Sequence, residues 1–284
     1  MSADAGPSPP GHLVRGPSAL AGDPRRFVHL TRTLAVQDFK LRFFGSTLGY
    51  LWQLMRPLLL FGVLYLVFTQ AIKLGASAKH FPVVLLTAIV LFTFFAEATS
   101  AAVTSVLDRE SLVRKIHFPR LVVPSAVVLT ALFNLALNLI AVAIFMLATG
   151  VEPRASWVQL PVLIGLLTVF AAGTAMLLSA LYVRMRDIRP IWEVVLQVLF
   201  YASPIIYVIE TVQSHSLRRF MLLNPLAAII QQVRHAVIDP SAPSAAAAAG
   251  GSARLLVPLA IIVGAFGFGY WVFDREAPRI AEDM

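Results

Sequence analysis

The chain has 284 residues, of which 58% are hydrophobic and only 13% are charged. Together with a mean hydropathy of +0.78, this composition excludes an ordinary soluble protein, in which about a quarter of the residues are charged. The net charge of +8 does not indicate a nucleic-acid partner, because the basic residues lie between apolar runs rather than on one solvated face. The absence of cysteine excludes disulfides, thiolate metal sites and thiol redox chemistry.

The first 44 residues precede any membrane-spanning pattern. Residues 1–24 are rich in Pro, Gly, Ser and Ala and contain no apolar run of signal-peptide length, so we expect a disordered cytoplasmic lead. Residues 25–44 predict an amphipathic helix that lies on the membrane surface or, alternatively, docks against protein. Asp38 interrupts its apolar face. That face consists of Phe27, Leu30, Leu34, Leu41 and Phe44.

Six segments are long and apolar enough to cross a bilayer as helices, which predicts an all-α polytopic membrane protein. The fifth segment contains Glu193, Gln197 and a Ser203–Pro204 step, so it is either continuous or re-entrant. The segments are 50–72, 81–105, 121–149, 157–183, 190–209 and 254–273.

The distribution of basic residues predicts the orientation. With both termini on one side of the membrane, sixteen of the 23 Lys and Arg residues fall on that side. Because basic loops stay in the cytoplasm, we expect both termini and the loops 107–120 and 184–189 to be cytoplasmic.

Polar residues within the spans are the candidate functional residues. Glu97 falls near the cytoplasmic end of the second span, where we expect either an ion pair with an arginine or a carboxylate that reaches the interface without a role. Thr130, Asn134 and Asn138 lie on one face of the third span, for helix packing or for a polar translocation path. Tryptophans and tyrosines near the span ends indicate interfacial anchoring or, alternatively, sugar stacking. These aromatic residues are Trp52, Trp157, Trp192, Tyr201, Tyr207 and Trp271.

Sequence motifs for catalysis are missing. The sequence contains no phosphate-binding GxxxxGK[ST] loop, no HExxH and no GxSxG, and its six histidines have no ligand spacing. We therefore expect a non-enzymatic chain without its own cofactor or metal.

Two loops have distinctive compositions. Residues 107–120 place apolar Leu112, Val113, Ile116 and Phe118 among basic residues, which predicts a short amphipathic helix before a proline-initiated span. The basic residues of this loop are Arg109, Arg114, Lys115 and Arg120. Residues 239–253, rich in Ala, Gly, Ser and Pro, are expected to be a flexible external linker.

Several segments together resemble the permease subunit of type-2 ABC exporters of lipid-linked polysaccharides, the group that exports O-antigen, teichoic acid and galactan. The resemblance spans about residues 30–238. The matching segments are GSTLGYLWQLMRPLLL from Gly45, FFAEA at Phe94–Ala98, SLVRKIHFPRLVVP at Ser111–Pro124, RDI at Arg186–Ile188, FYASPIIY at Phe200–Tyr207 and LNPLAAIIQQVR at Leu223–Arg234.

The resemblance implies a homodimer of six-span permeases, with two separate ATPase subunits that hold the ATP and Mg²⁺. It implies an interface helix at the N-terminus and short outer gate helices within 204–238, with Pro204, Tyr207, Asn224 and Pro225 among the gate residues. It also implies a second cytoplasmic loop at Arg186 and Asp187 and an ATPase-coupling loop within 107–120. The coupling residues are Ser111, Leu112, Val113, Arg114, Lys115, Ile116, Phe118 and Arg120. The linker at 239–253 departs from the family pattern.

These observations predict a permease that exports a lipid-linked polysaccharide across a bacterial cytoplasmic membrane. A drug or small-lipid exporter and an ATP-independent flippase or glycosyltransferase are the alternatives. The excess of arginine over lysine indicates a GC-rich bacterium. The expected partners are the ATPase, a second copy, the glycan and membrane lipids.

Overall fold

The computed structural model describes residues 24–43, 49–71, 80–113 and 118–276. This described part is all-helical and contains no β-strand. The predicted lead at 1–24 lies outside it except for Pro24, which begins the first helix.

Five long apolar helices form the body of the molecule. They are α2 (Gly49–Leu66, continued by a π-helical turn at Val67–Ala71), α3 (Phe81–Ser105), α5 (Val122–Ala148), α6 (Gln159–Arg184) and α11 (Leu256–Glu276). Each is long and apolar enough to cross a membrane. Their bounds lie within a few residues of the predicted first, second, third, fourth and sixth spans, because the apolar run and the ~30 Å hydrocarbon core together determine helix length.

The helix α3 is the centre of the bundle. It is the most buried of the five long helices, while α2 is the least buried. The Phe95 side chain of α3 is fully buried and stacks on Phe170 of α6, with ring centroids 5.0 Å apart. The apolar side chains on the outer faces of α2 and α11 are suited to contact with lipid, which solvates such surfaces.

The helices α6 and α11 approach each other more closely than any side chain would permit. A Cβ atom built on Gly269 would lie 2.1 Å from the carbonyl oxygen of Gly173, and one on Gly173 would lie 2.5 Å from Phe266 Cα. Small residues at such crossings permit the close backbone packing that holds membrane helices together.

The amphipathic helix predicted at 25–44 is α1 (Pro24–Phe43). It docks on α5, and the face it buries contains Thr31 and Ala35. Phe39 meets Phe133 of α5 edge to face at 5.7 Å. The contacts therefore show the protein-docked alternative for part of α1, whereas Leu41 of the predicted apolar face is 70% exposed. Phe44 lies outside the described residues.

The predicted fifth span is shorter than expected. Its helix α7 (Ile188–Ala202) has 15 residues, about 22 Å of helix, which is less than the ~30 Å hydrocarbon core. Ser203 is extended, because a residue before proline is pushed out of the helical region by the Pro204 ring. The prediction of helix through residue 209 was therefore wrong, and the chain turns at the Ser203–Pro204 step.

Short helices follow α7, as predicted for 204–238. They comprise a 3₁₀ turn (Ile209–Thr211), α8 (His215–Met221), α9 (Pro225–Val233) and a π-helical turn (Arg234–Ile238). Ile205, Ile209, Leu222 and Leu226 are each 1% exposed. The segment is therefore packed against the bundle rather than solvated.

The prediction of a flexible linker at 239–253 was wrong. The segment contains α10 (Ala245–Ala249) and a 3₁₀ turn (Ser252–Leu255). Gln231 Nε2 donates to the Pro243 carbonyl at 2.6 Å, and the Gln232 side chain accepts from Ala245 N at 3.1 Å. Composition was misleading here because alanine, which is common in linkers, is also the best helix former and packs closely.

Candidate functional site

The carboxylate of Glu97 joins four helices at one end of the bundle. It pairs with Arg42 of α1, accepts from Asn134 Nδ2 of α5 at 2.7 Å, and accepts from Gln53 Nε2 of α2 at 3.3 Å. Its side chain is 19% exposed. The arginine partner expected for Glu97 is thus present. This end of the molecule also carries α1, and we call it the α1 end.

The predicted polar stripe of α5 faces protein. Thr130 and Asn134 are each 1% exposed and Asn138 is 7% exposed. Thr130 Oγ1 donates to the Ala126 carbonyl at 2.9 Å, and Asn138 Nδ2 donates to the Asn134 carbonyl at 2.9 Å. Because only Asn134 reaches a side chain on another helix, these contacts favour helix packing over a translocation path along this face.

A longer polar stripe runs along α3 and its extension. Thr93, Glu97, Ser100, Thr104 and Asp108 recur at intervals of three and four residues, which places them on one helical face. Thr93, Glu97 and Ser100 line a cavity of 450 Å³ between α2, α3 and α7. Of these five residues, only Glu97 was predicted to be functional, although the spacing of the other four is visible in the sequence.

A second cavity, of 490 Å³, lies between α1, α3 and the start of the following loop. Asp38, which interrupted the apolar face of α1, pairs here with Arg109, and Thr104 Oγ1 donates to Asp108 at 2.8 Å. The Asp38–Arg109 pair is therefore a second ion pair that connects α1 to the bundle.

The segment with the predicted coupling residues is partly described. Leu107–Arg109 forms a 3₁₀ turn and Glu110–Val113 forms α4, with Ser111 exposed and Leu112 half-buried. The side chain of Val113, and the residues Arg114, Lys115 and Ile116, lie outside the described residues.

The coupling segment ends at two buried or half-buried side chains. Phe118 packs on a cluster that includes Val106 of the preceding turn and Phe273 of α11. Arg120 is 3% exposed, and its Nε and Nη1 atoms have no hydrogen-bond partner among the described residues. Burial lowers the pKa of the Arg120 guanidinium, because a low-polarity environment disfavours the charged form.

The predicted second loop, with Arg186 and Asp187, connects α6 to α7. Both side chains are exposed, and Asp187 lies at the N-terminus of α7 without a side-chain capping bond. The Asp187 carbonyl accepts from Ile191 N at 3.2 Å.

The predicted gate residues lie together where the chain turns between α7 and α9. Asn224 caps α9 by accepting from Leu226 N at 3.0 Å, and its amide donates to Ser203 Oγ at 3.0 Å. Pro225 is the first residue of α9, a position that needs no backbone N–H. Asn224 thereby connects α9 to the extended Ser203–Pro204 step. Tyr207 donates to the Tyr201 carbonyl at 3.2 Å, and burial raises the pKa of its phenol.

Two half-buried tryptophans donate hydrogen bonds to other segments of the protein. Trp157 Nε1 donates to the Val237 carbonyl at 3.0 Å and its neighbour Ser156 donates to the Ala236 carbonyl at 2.5 Å, which holds the π-helical turn. Trp192 Nε1 donates to Thr99 Oγ1 of α3 at 3.0 Å. Interfacial anchoring was expected because both residues fall near span ends in the sequence, where the hydrogen-bond partners are not visible.

Among the described residues no group of three or more His, Asp or Glu side chains is arranged to hold a metal ion. An arginine partner was expected for Glu97, but its identity as Arg42 and the contact with Gln53 were not predicted, since nothing in the sequence connects positions that far apart.

Comparison with known proteins identifies relatives of this chain. The chain is 29% identical over 214 residues to the O-antigen export system permease protein RfbA of Myxococcus xanthus, which covers 75% of the chain and 82% of that relative. Two proteins of the same name from Klebsiella pneumoniae are 26% and 24% identical over 195 residues, which covers 68% of the chain and 74% of each relative. Residues 29–238 match the ABC-2 type transporter family. The chain therefore belongs to the ABC-2 type transporter family and is a permease, a transport component.

Proposed function

We propose that this permease exports a lipid-linked polysaccharide across the cytoplasmic membrane, driven by a separate ATPase. The observation that carries the proposal is the match to three permeases named for O-antigen export, over 68% to 75% of the chain. The family match at residues 29–238 includes most of α1, the central helix α3 and the short helices α8 and α9. It is therefore not confined to the apolar pattern that any membrane protein would share.

The arrangement of polar groups supports this substrate class. At the α1 end, hydroxyl, carboxylate and guanidinium groups line an open cavity of 490 Å³. Sugars and phosphates need such hydrogen-bonding groups, whereas a pocket for an apolar drug is mostly hydrophobic. A polar stripe on a central helix thus suits a substrate with many hydroxyl groups.

We propose that the functional unit contains two copies of this chain and two ATPase subunits, which bind ATP and Mg²⁺. The sequence has no phosphate-binding loop of its own. The ATPase docks on the segment Ser111–Arg120, where apolar and basic side chains alternate, with the loop at Arg186 and Asp187 on the same side. Both termini and these loops are cytoplasmic, as the distribution of Lys and Arg favours, and the short helices α8–α10 are external.

A deletion of the gene in its own host, complemented by the wild-type chain, tests the substrate class. We expect the deletion strain to lose surface glycan and to accumulate lipid-linked polymer inside the cell, with recovery on complementation. Normal surface glycan together with a new sensitivity to drugs would contradict the proposal and indicate a small-molecule exporter.

A further inference from the structure

Arg56 is a charged residue on a membrane-spanning helix and has no partner among the described residues. It is the sixth residue of the apolar stretch Leu51–Thr69. Its side chain is exposed, and it forms no hydrogen bond or ion pair with the described residues. Ionisable side chains at membrane depth are costly unless paired or placed in a polar cavity, and they mark functional sites by default.

Arg56 lines the 450 Å³ cavity between α2, α3 and α7. The other charged residue that lines the cavity is Glu97. The charge of Glu97 is balanced by Arg42, and its oxygens accept hydrogen bonds from Asn134 and Gln53. The cavity therefore carries one uncompensated positive charge, at Arg56.

The remaining walls of this cavity are of two kinds. The hydroxyl groups of Thr93 and Ser100 lie on its α3 side, whereas Leu60, Phe92 and Phe200 provide an apolar side. Phe92 and Phe200 meet edge to face at 5.1 Å. A ligand that fits both sides carries an anionic head and an apolar chain.

Arg56 lies near the end at which the apolar stretch Leu51–Thr69 begins. Arg56 follows Leu51, the first residue of the spanning stretch, by five positions, which corresponds to about 7.5 Å along a helix. The interfacial region that contains lipid phosphates adds about 5 to 8 Å to each side of the hydrocarbon core. A long arginine side chain extends its guanidinium toward the interface, where lipid phosphates lie, from such a position.

We propose that Arg56 binds the phosphate of a membrane lipid, with the lipid chain along Leu60 and Phe200. The planar guanidinium holds a phosphate through two parallel hydrogen bonds, which an ammonium group cannot reproduce. If the proposed function holds, the lipid is a polyprenyl diphosphate that carries the glycan, and this identification rests on that function. An anionic phospholipid is the other lipid that would present a phosphate to Arg56.

Binding of defined lipids to the purified full-length chain tests this inference. Native mass spectrometry would measure the dissociation constants of a long-chain polyprenyl diphosphate, the uncharged polyprenol and phosphatidylglycerol. We expect Arg56→Gln to weaken diphosphate binding by about tenfold or more, the usual effect of losing a charge-assisted hydrogen bond. Arg56→Lys should be intermediate. Arg219→Gln, which removes an exposed arginine of α8, is the matched control and should bind as the wild type does.

Each outcome decides the inference. Equal diphosphate binding by wild type and Arg56→Gln overturns it, as does polyprenol binding as tight as that of the diphosphate. If phosphatidylglycerol competes equally and is lost equally in Arg56→Gln, the phosphate site stands and its ligand is bulk phospholipid. The proposed function is tested separately by the surface glycan of the deletion strain. If the complemented strain exports glycan but Arg56→Gln binds lipid as the wild type does, this inference is refuted and the proposed function stands.

Discussion

Glu97 shows how one side chain can join a surface helix to a membrane bundle. Its carboxylate accepts from residues of α1, α2 and α5 while its backbone belongs to α3. The ionic partner and the two amide donors together offset most of the desolvation cost of this partly buried carboxylate. The position of α1 on the bundle therefore depends on this residue and on the Asp38–Arg109 pair.

We expect Glu97→Gln to lower the stability of the folded chain by about 1 kcal/mol, because Arg42 loses its ionic partner while its exposed part remains solvated. The measurement is the thermal unfolding of the purified chain in detergent. Glu193→Gln is the control, since Glu193 and its partner Arg189 are both more than 60% exposed and such pairs contribute little. An equal loss of stability in both variants would contradict the argument.

Arg120 is predicted to be a destabilising residue in the isolated permease. Its Nε and Nη1 atoms are buried and donate no hydrogen bond to the described residues, and burial of an unpaired charge costs several kcal/mol. Arg120→Met, which keeps the length and removes the charge, should therefore raise the melting temperature of the purified chain. Arg186→Met, at an exposed position, should leave it unchanged. A lower melting temperature for Arg120→Met alone would show that the charge is compensated.

At the scale of elements, the close crossing of α6 and α11 permits a sharp test. Gly269→Ala places a methyl group 2.1 Å from the Gly173 carbonyl oxygen, so the two backbones must separate. Overpacking of this kind costs about 1–3 kcal/mol or more. Gly267→Ala is the matched control, because nothing lies within 4 Å of a Cβ there.

The measurement for both glycine variants is thermal unfolding in the same detergent. We expect a clear loss of stability for Gly269→Ala. Gly267→Ala should be neutral or slightly stabilised, since alanine is the better helix former. Identical melting of the two variants would show that the crossing is not tight.

The proposed coupling segment makes a prediction at the same scale. If apolar side chains of Ser111–Arg120 insert into a groove on the ATPase, Ile116→Asp should disrupt assembly and export more than Lys115→Ala. A buried anchor typically contributes ~2 kcal/mol or more, whereas rim charges mainly affect association rate. Reconstitution of each variant with the ATPase, after a check of membrane insertion, measures both effects. A wild-type phenotype for Ile116→Asp would exclude this segment as the coupling element.

For the whole molecule, the orientation in the membrane is open to a direct measurement. The chain has no cysteine, so single engineered cysteines report without background. We expect an impermeant thiol reagent to label Gln213→Cys on intact cells but to label Ser111→Cys only after lysis. Both positions are exposed in the fold, so burial does not explain a difference. Labelling of Ser111→Cys on intact cells would show that the orientation is the reverse of the one proposed.

The sequence by itself determined the membrane class and the approximate bounds of the five long helices, although it predicted six spans. The family resemblance implied the short helices after α7. The bounds of the long helices follow from a local quantity, the length of an apolar run. Even the end of α7 was within reach, because the Ser203–Pro204 step that shortens it is a local signal.

Only the tertiary structure decided which polar groups meet. Arg42 and Glu97 are 55 positions apart, and no periodicity connects residues of different helices. The packed state of 239–253 and the placement of Arg56 at a cavity likewise depend on neighbours from distant parts of the chain. Hydrophobicity determines which segments enter the membrane, but inside it the close crossings and the pairing of polar groups determine how the helices are arranged.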